Sequence, residues 1–285
     1  ACVNKEIDFG IAICGSGIGI SIACNKVKGI RAARVTNIED VLETRKDNDA
    51  NIICLSEKLT TQQAYHLITT FIQQPLRLIN TSLPGTIFIY SFGNFLFTLG
   101  IHQSVVNSVV LEPFLLINTN ENMLAFANGQ PIPHIINNIF VPTFGMVGGT
   151  GSTISLLIAI FIFSRQKSAK QVARLSLAPG LFNINEPVIF GLPIVFNLPL
   201  MIPFVLLPAI GIYFAWLCTT LGLMSRCVVM IPWTTPPILS AWLATAGDWR
   251  AVVVQLAIIV FGVFFYLPFL KVAERVALKN SGTEH

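Results

Sequence analysis

The pattern of apolar and polar positions changes character near residue 75. Before that point, short apolar runs alternate with stretches of helical spacing. Phe9-Gly-Ile-Ala-Ile-Cys14 reads as a strand, Gly15-Ser-Gly-Ile-Gly19 as a turn, and Ile20–Asn25 as the start of a helix. Ala32–Thr36 then reads as a strand, Ile38–Lys46 as a helix, Ala50–Leu55 as a strand and Thr60–Ile72 as a helix. The order βαβα predicts part of an open, Rossmann-like α/β sheet. A strand, a glycine turn and a helix start present backbone N–H groups to an anion, which makes Gly15, Gly17 and Gly19 a candidate anion loop. The spacing is not G-x-G-x-x-G, so it does not predict a dinucleotide site.

Beyond residue 76 the chain is apolar. Lys, Arg, Asp and Glu are absent from 78–111, 122–164, 187–225, 227–247 and 251–270. Each stretch can hold a membrane span of about 20 residues. Proline and glycine cut these stretches, and the predicted spans are 84–101, 144–164, 198–223, 227–246 and 251–270. Residues 103–140 and 176–195 read as hairpins or surface helices. Arg165, Lys167, Lys170 and Arg174 form a basic loop, and Lys271, Arg275 and Lys279 follow the last span. The positive-inside rule puts both basic segments in the cytoplasm, so an even number of crossings must separate them. Three predicted spans lie between them. The one in excess is 227–246, whose Pro232, Pro236 and Pro237 make it the re-entrant candidate. The expected fold is therefore mixed: a partial α/β open sheet over 1–75, then an all-α polytopic membrane domain with re-entrant hairpins over 76–285.

Composition supports the division. Only 11% of residues are charged, against about 25% in soluble domains. Of the 18 Lys+Arg and 14 acids, nine and eight lie in residues 1–77, which leaves the remainder almost uncharged. A net charge of +4 gives no case for nucleic acid. The six cysteines form no Cys-x-x-Cys pair and have no histidine partners at metal spacing. Reduced thiols in a cytoplasmic setting fit this pattern, and no metal or cofactor is expected. The first residues, Ala-Cys-Val-Asn, include neither Met nor an apolar run. We therefore expect no signal peptide and a chain entered partway through a domain.

Polar residues in the apolar part are concentrated in six places: Gly100–Gln103, Asn118–Asn122, His134–Asn138, Gly148–Thr153, Asn183–Pro187 and Pro232–Pro236. Glu186 is the informative one, a lone acid flanked by asparagines and followed by a proline. Irregular backbone at membrane depth persists only where it is buried in protein or lines a cavity, and an acid there marks a functional site by default. The alternative is a loop acid beside a hydrophobic segment. Neutral polar groups with one acid and one aromatic suit an uncharged, polyhydroxylated ligand, whose hydroxyls both donate and accept. An ion pathway would carry several acids or paired charges.

Two resemblances follow from quoted motifs. Gly100-Ile-His102, Gly148-Gly-Thr-Gly151, Asn183-Ile-Asn-Glu-Pro-Val-Ile-Phe-Gly-Leu-Pro193, Ile231-Pro-Trp-Thr-Thr-Pro236 and Tyr266-Leu-Pro-Phe-Leu-Lys271 resemble the C component of enzyme II complexes. The branch is the lactose/cellobiose/diacetylchitobiose one of the phosphoenolpyruvate-dependent phosphotransferase system, and the likeness covers about 74–285. It implies a multi-pass cell-membrane permease that binds a disaccharide for phosphorylation of its 6-hydroxyl by the phosphocysteine of a separate B component. Matched by motif, Glu186 would bond the hydroxyl to be phosphorylated and His102 would orient it. Asn183 and Asn185 would contribute, and Trp233 would stack on the sugar. Such permeases carry further spans before the Gly-Ile-His segment and build much of a dimer interface from them, so a homodimer and membrane lipid join the B component as expected partners.

Residues 1–75 resemble the second half of type B ribose-5-phosphate and galactose-6-phosphate isomerases, through Cys14-Gly-Ser-Gly-Ile-Gly-Ile-Ser-Ile-Ala-Cys-Asn-Lys26, Gly29-Ile-Arg-Ala-Ala33 and Asn48-Asp-Ala-Asn51. The resemblance makes Cys14 the proton-moving base, with Ser16 and the glycine loop supplying N–H donors to the enediolate. Asp47 stands where the family often has His, and the family's Asp-His strand and phosphate-gripping arginines are not in the chain. We expect a vestigial, cytoplasmic isomerase-like fragment with a structural thiol. The leading expectation is a sugar permease. The competing readings are a membrane-tethered sugar-phosphate isomerase and a non-functional chimeric or truncated chain.

Overall fold

The computed structural model describes residues 2–4, 6–192 and 194–280, without the side chains of 72–76, 78 and 280. Pro193, the last residue of the Asn-Glu-Pro segment, lies outside them. The chain divides into two compact units, 1–79 and 80–285.

In the first unit, β1 (Gly10–Cys14), β2 (Ala32–Arg34) and β3 (Ile52–Ser56) form a parallel sheet of order β1-β3-β2. Gly10 and Ala32 both register with Ile52 of the central strand. The crossover helices are α1 (Ile18–Asn25) and α2 (Ile38–Lys46), and α3 (Thr61–Asn80) follows β3. Helix α2 matches its expected bounds because its start is fully encoded. Asn37 accepts the Asp40 N–H at 2.8 Å, while Asp40 reaches back to the Thr36 N–H and hydroxyl at 2.8 and 2.7 Å. That reciprocal cap satisfies donors the first turn would otherwise leave open. Helix α1 starts two residues earlier than expected, and α3 runs on to Asn80, past the expected end at Ile72. The core is Val35, Val41, Ile53, Leu55, Leu67 and Phe71. The Arg45 guanidinium lies over the rings of Phe9 and Phe71, at 4.6 and 5.2 Å from their centroids.

Among the described residues the regular elements of the second unit are helices joined by irregular segments: α4 (Leu83–Thr98), α5 (Ser104–Val106), a π turn (Asn107–Leu111), α6 (Glu112–Ala127), α7 (Phe140–Gly145), α8 (Thr153–Phe163), α9 (Lys167–Leu181), α10 (Glu186–Gly191), α11 (Leu198–Thr220), α12 (Leu239–Ala244) and α13 (Trp249–Asn280). Helix α11 is the hub, packed on α13, α4 and α7, while α8 packs on α13 and α9. Among the described residues, three stretches are long and apolar enough to cross a membrane: Phe140–Phe163, Leu198–Thr220 and Trp249–Lys279.

Two expected spans take a different form. Residues 227–246 hold only the six-residue α12, because Pro232, Pro236 and Pro237 remove N–H donors that a continuous helix needs. Residues 84–101 give a helix that stops at Thr98. The Gly100 and Ile101 N–H groups return to the carbonyls of Phe97 and Leu96, both at 3.0 Å, closing the helix just before His102. Between the basic segments this leaves two helices long and apolar enough to cross a membrane, Leu198–Thr220 and Trp249–Lys279.

Close helix approach at the hub depends on Gly211 of α11. A Cβ there would lie 2.5 Å from the Phe144 carbonyl oxygen of α7. Backbone cannot rotate away as a side chain can, so Gly211→Ala should force the two helices apart, at about 1–3 kcal/mol by analogy with overpacked cores. Thermal unfolding of the protein in detergent should show a lowered midpoint. An unchanged midpoint would mean that α7 is free to shift.

Candidate functional site

One cavity of about 580 Å³ lies inside the second unit, and His102, Asn183, Asn185, Glu186 and Trp233 all line it. Its volume falls within the roughly 300–1,000 Å³ range of small-molecule sites. The five residues come from three distant segments, and the local backbone explains how they meet.

Residues 148–152 form a turn between α7 and α8 that only glycine can build. Gly149 and Gly151 have φ of 101° and 76°, and added Cβ atoms would fall 2.5 Å from the Asn185 side chain and 2.2 Å from the Phe204 ring. The turn is held by two asparagines. Asn183 Oδ1 accepts the Gly148 N–H at 2.9 Å, and its Nδ2 donates to the carbonyls of Trp233 and Thr235 at 2.6 and 3.0 Å. Asn185 Nδ2 donates to the Thr150 carbonyl at 2.6 Å and to Thr153 Oγ1 at 3.0 Å. The NH2 groups of both amides are thus occupied with protein, which changes their reading. They form the cavity wall and fix the segments carrying Glu186 and Trp233, instead of offering free donors to a ligand.

Glu186 is different. It opens α10 beside Pro187, is exposed to the cavity, and has no hydrogen-bond or ion-pair partner among the described residues. Trp233 is 57% exposed, with its carbonyl tied to Asn183. The His102 ring lies tilted by 50° against that of Phe97, at 4.6 Å between centroids. Its Nδ1 accepts the Ser104 N–H at 3.2 Å and lies 2.8 Å from Ser104 Oγ. A backbone N–H can only donate, so Nδ1 carries no hydrogen and the neutral ring presents Nε2–H. Carboxylate acceptor and imidazole donor are complementary partners for hydroxyls.

The sequence reading missed Glu112, Tyr90 and Gln255, and held Gln103 and Thr150 only as members of polar clusters; all five line the same cavity. Glu112 carried a signal: it is followed by Pro113 at a helix start, as Glu186 is by Pro187. Gln255 carried none, since an isolated glutamine in an apolar segment looks alike whether it faces a cavity or braces the backbone.

Cys14 lies at the end of β1 in the first unit. The Gly17 N–H points at its sulfur at 3.2 Å, and the backbone N–H groups of Ile20 and Ser16 act in the same sense, holding the thiol below its ordinary value. Gly17 is required there, with φ of 76° and a would-be Cβ 3.2 Å from the Leu55 carbonyl carbon. Gly19 has open space around it, and Gly15 meets only the Glu57 side chain at 3.6 Å. Ser16 turns its hydroxyl to the Ile18 N–H at 3.3 Å and its carbonyl to Arg34 Nε at 2.9 Å. All six cysteines are free, and among the described residues no His, Cys, Asp and Glu cluster could hold a metal.

Residues 52–208 match the family model "Phosphotransferase system, EIIC", and residues 1–81 match "Ribose/Galactose Isomerase". The cellobiose-specific EIIC component of Lactococcus lactis is 35% identical over 240 residues, 77% of this chain and 49% of the relative. The lichenan permease IIC component of Bacillus subtilis is 31% identical over 220 residues, with shares of 77% and 49%. Among solved structures, the transporter ChbC, the IIC component from the N,N'-diacetylchitobiose-specific phosphotransferase system, aligns with a TM-score of 0.74 and 32% identity. That alignment covers 80% of this chain and 53% of ChbC. The chain belongs to the EIIC family of the phosphotransferase system, a family of membrane proteins, and spans about half the length of these relatives.

The two thiols of the first unit's sheet should separate by reactivity. Cys14 is held low, so its thiolate persists to lower pH, whereas burial pushes the Cys54 thiol up to about 12. As pH falls from 9 to 7, iodoacetamide labelling read by peptide mass spectrometry should decline less at Cys14 than at a free peptide thiol. Cys54 should stay unlabelled throughout. Equal labelling of the two would contradict the assignment.

Proposed function

We propose that the second unit is the substrate-binding part of a phosphotransferase-system permease for an uncharged disaccharide of the cellobiose, lactose or diacetylchitobiose class. The observation that carries this reading is the convergence of His102, Glu186 and Trp233 on one cavity, with the Glu186 carboxylate unpartnered. Glu186 accepts from the hydroxyl to be phosphorylated, neutral His102 donates through Nε2–H to a sugar oxygen, and Trp233 offers a ring face. Asn183 and Asn185 position these groups through the backbone. No Lys or Arg is among the described cavity-lining residues. Two carboxylates without a cation suit a neutral sugar and oppose an anionic one. The partners in this reading are the sugar, the phosphorylated B component, surrounding lipid and a second copy of the chain.

Glu186→Gln keeps the shape and removes the charge. Hydrogen bonds to charged groups contribute about 1.5–3 kcal/mol, so sugar binding to membranes holding the variant should fall tenfold or more. Membrane insertion should be unchanged. Wild-type affinity in the variant would sink the assignment.

Orientation follows from charge. The segments Arg165–Arg174 and Lys271–Lys279 flank the pair α11 and α13, and both lie in the cytoplasm under the positive-inside rule. Counting back from Arg165, the Phe140–Phe163 span leads to the outer side. A cytoplasmic position for residues 1–79 requires a return crossing within 80–139, where α4, with 16 residues, is about 24 Å long and shorter than the roughly 30 Å hydrocarbon core. The segment 227–238, irregular and proline-rich, is re-entrant in this arrangement. A membrane-impermeant maleimide should label Cys14 only after cells are permeabilised. Labelling in intact cells would reverse the topology.

The isomerase reading of the first unit is favoured by one observation, the lowered Cys14 thiol facing backbone N–H groups. A thiolate base and N–H donors are two parts of an enediol site. The resemblance also calls for an Asp-His pair and phosphate-binding arginines, and on that ground we keep the permease as the leading function.

A further inference from the structure

We propose that Glu112, carried by the π turn and the first turn of α6, is a second sugar-binding carboxylate that holds the ring remote from Glu186 and so sets the preference for a disaccharide. The proposal rests on the permease reading and deepens it. Four observations lead to it.

Glu112 lines the cavity, is only half-buried, and has no hydrogen-bond or ion-pair partner among the described residues. It is presented as Glu186 is, by a Glu-Pro pair in the first turn of a helix. At Glu186 the proline takes a position whose N–H would have had no partner, and the helix start favours negative charge; Glu112 instead follows a π turn that runs on into α6, its own N–H bonded to the Asn107 carbonyl. The two carboxylates stand on walls made by different elements, since α10 packs on α9 and the π turn packs on α4.

The wall around Glu112 is built for polar contact. Asn107, Ser108, Leu111, Glu112 and Leu115 all line the cavity, as one face of a continuous helical segment that includes a π turn. π turns are rare and occur mostly at functional positions. Beside it, the Tyr90 hydroxyl and Asn107 Oδ1 are buried with no hydrogen-bond partner, although Tyr90 is 4% exposed and both residues line the cavity. Both atoms are closed off from the cavity surface, Asn107 Oδ1 lying against Gly93 of α4, so the polar surface this wall offers is that of Glu112 and Ser108. Asn107 Nδ2 donates to Gln103 Oε1 at 3.3 Å, and Gln103 Nε2 reaches Thr150 Oγ1 at 2.5 Å. This chain of contacts connects the wall to the turn held by Asn185.

The test compares equilibrium binding of radiolabelled cellobiose and methyl β-glucoside to membranes carrying the full chain. Wild type should favour the disaccharide. In Glu112→Gln, which keeps the side chain's shape, the ratio of the two affinities should fall tenfold or more, while Glu186→Gln should weaken both sugars together. Glu112→Asp, which keeps the charge on a shorter arm, should recover part of the ratio. An unchanged ratio in Glu112→Gln, or an equal loss of both sugars, would overturn the subsite and leave the permease reading standing. Failure of the wild-type chain to bind either sugar would overturn the permease reading and this proposal with it.

Discussion

Irregular backbone inside an apolar unit must have its polar groups satisfied by protein, and the second unit depends on that constraint. A buried donor or acceptor without a partner costs about 1–3 kcal/mol, and in hydrocarbon several. The breaks at 128–138, 146–152 and 221–238 are each answered by an amide side chain, and the break at 182–185 supplies two of those amides. Asn118 donates to the Ile136 carbonyl at 2.9 Å. Asn122 and Asn137 both donate to the Cys227 carbonyl, at 3.1 and 2.9 Å. Gln255 of α13 donates to the Thr143 carbonyl at 2.7 Å and to Ser240 at 3.0 Å. Asn183 and Asn185 do the same for the glycine turn. Each of these amides joins segments far apart in sequence, so satisfying the backbone and assembling the cavity are one event.

This explains the cavity's chemistry. Helix ends and turns bring polar atoms to a place where continuous helices would show only side chains. Once the asparagines have been used on the backbone, the groups left for a ligand are few: two carboxylates, one imidazole N–H, hydroxyls and an indole face. Tyr266 extends the logic to the far side of the turn, donating its hydroxyl to the Gly151 carbonyl at 2.8 Å across the unit. Phe204 fills the space over Gly151 that any side chain there would claim. The turn is therefore braced by hydrogen bonds and by packing together, and the residues it positions are correspondingly fixed.

Much of this was legible in the sequence, and the gaps have physical causes. Helix α2 was readable because its cap and its charges are local. Helix α11 was readable from its length and apolarity, and the start of α13 likewise. The grouping of His102, Glu186 and Trp233 was suggested by polar residues in a region where polarity is costly. The role of Asn183 and Asn185 was not readable, because an amide that binds sugar and one that binds a carbonyl 35 or 50 residues away have the same local pattern. The 227–246 stretch has the hydropathy of a span, and only its prolines argued otherwise. Glu112 lay at the edge of a charge-free run, where it resembled a boundary residue.

Both units place an anionic group at the start of a helix without supplying a cation. Cys14 faces the N–H groups opening α1, and Glu186 opens α10. The fractional positive charge of unsatisfied N–H groups favours an anion there without forming a salt bridge. In the first unit, backbone donors alone suffice to hold the thiol low. In the cavity the choice has a further consequence. An Arg or Lys beside Glu186 would saturate the carboxylate oxygens with strong donors and leave little acceptor capacity for a hydroxyl. A helix start stabilises the charge from behind and leaves the oxygens open. A carboxylate left uncommitted by its own protein keeps its acceptor capacity for a hydroxyl.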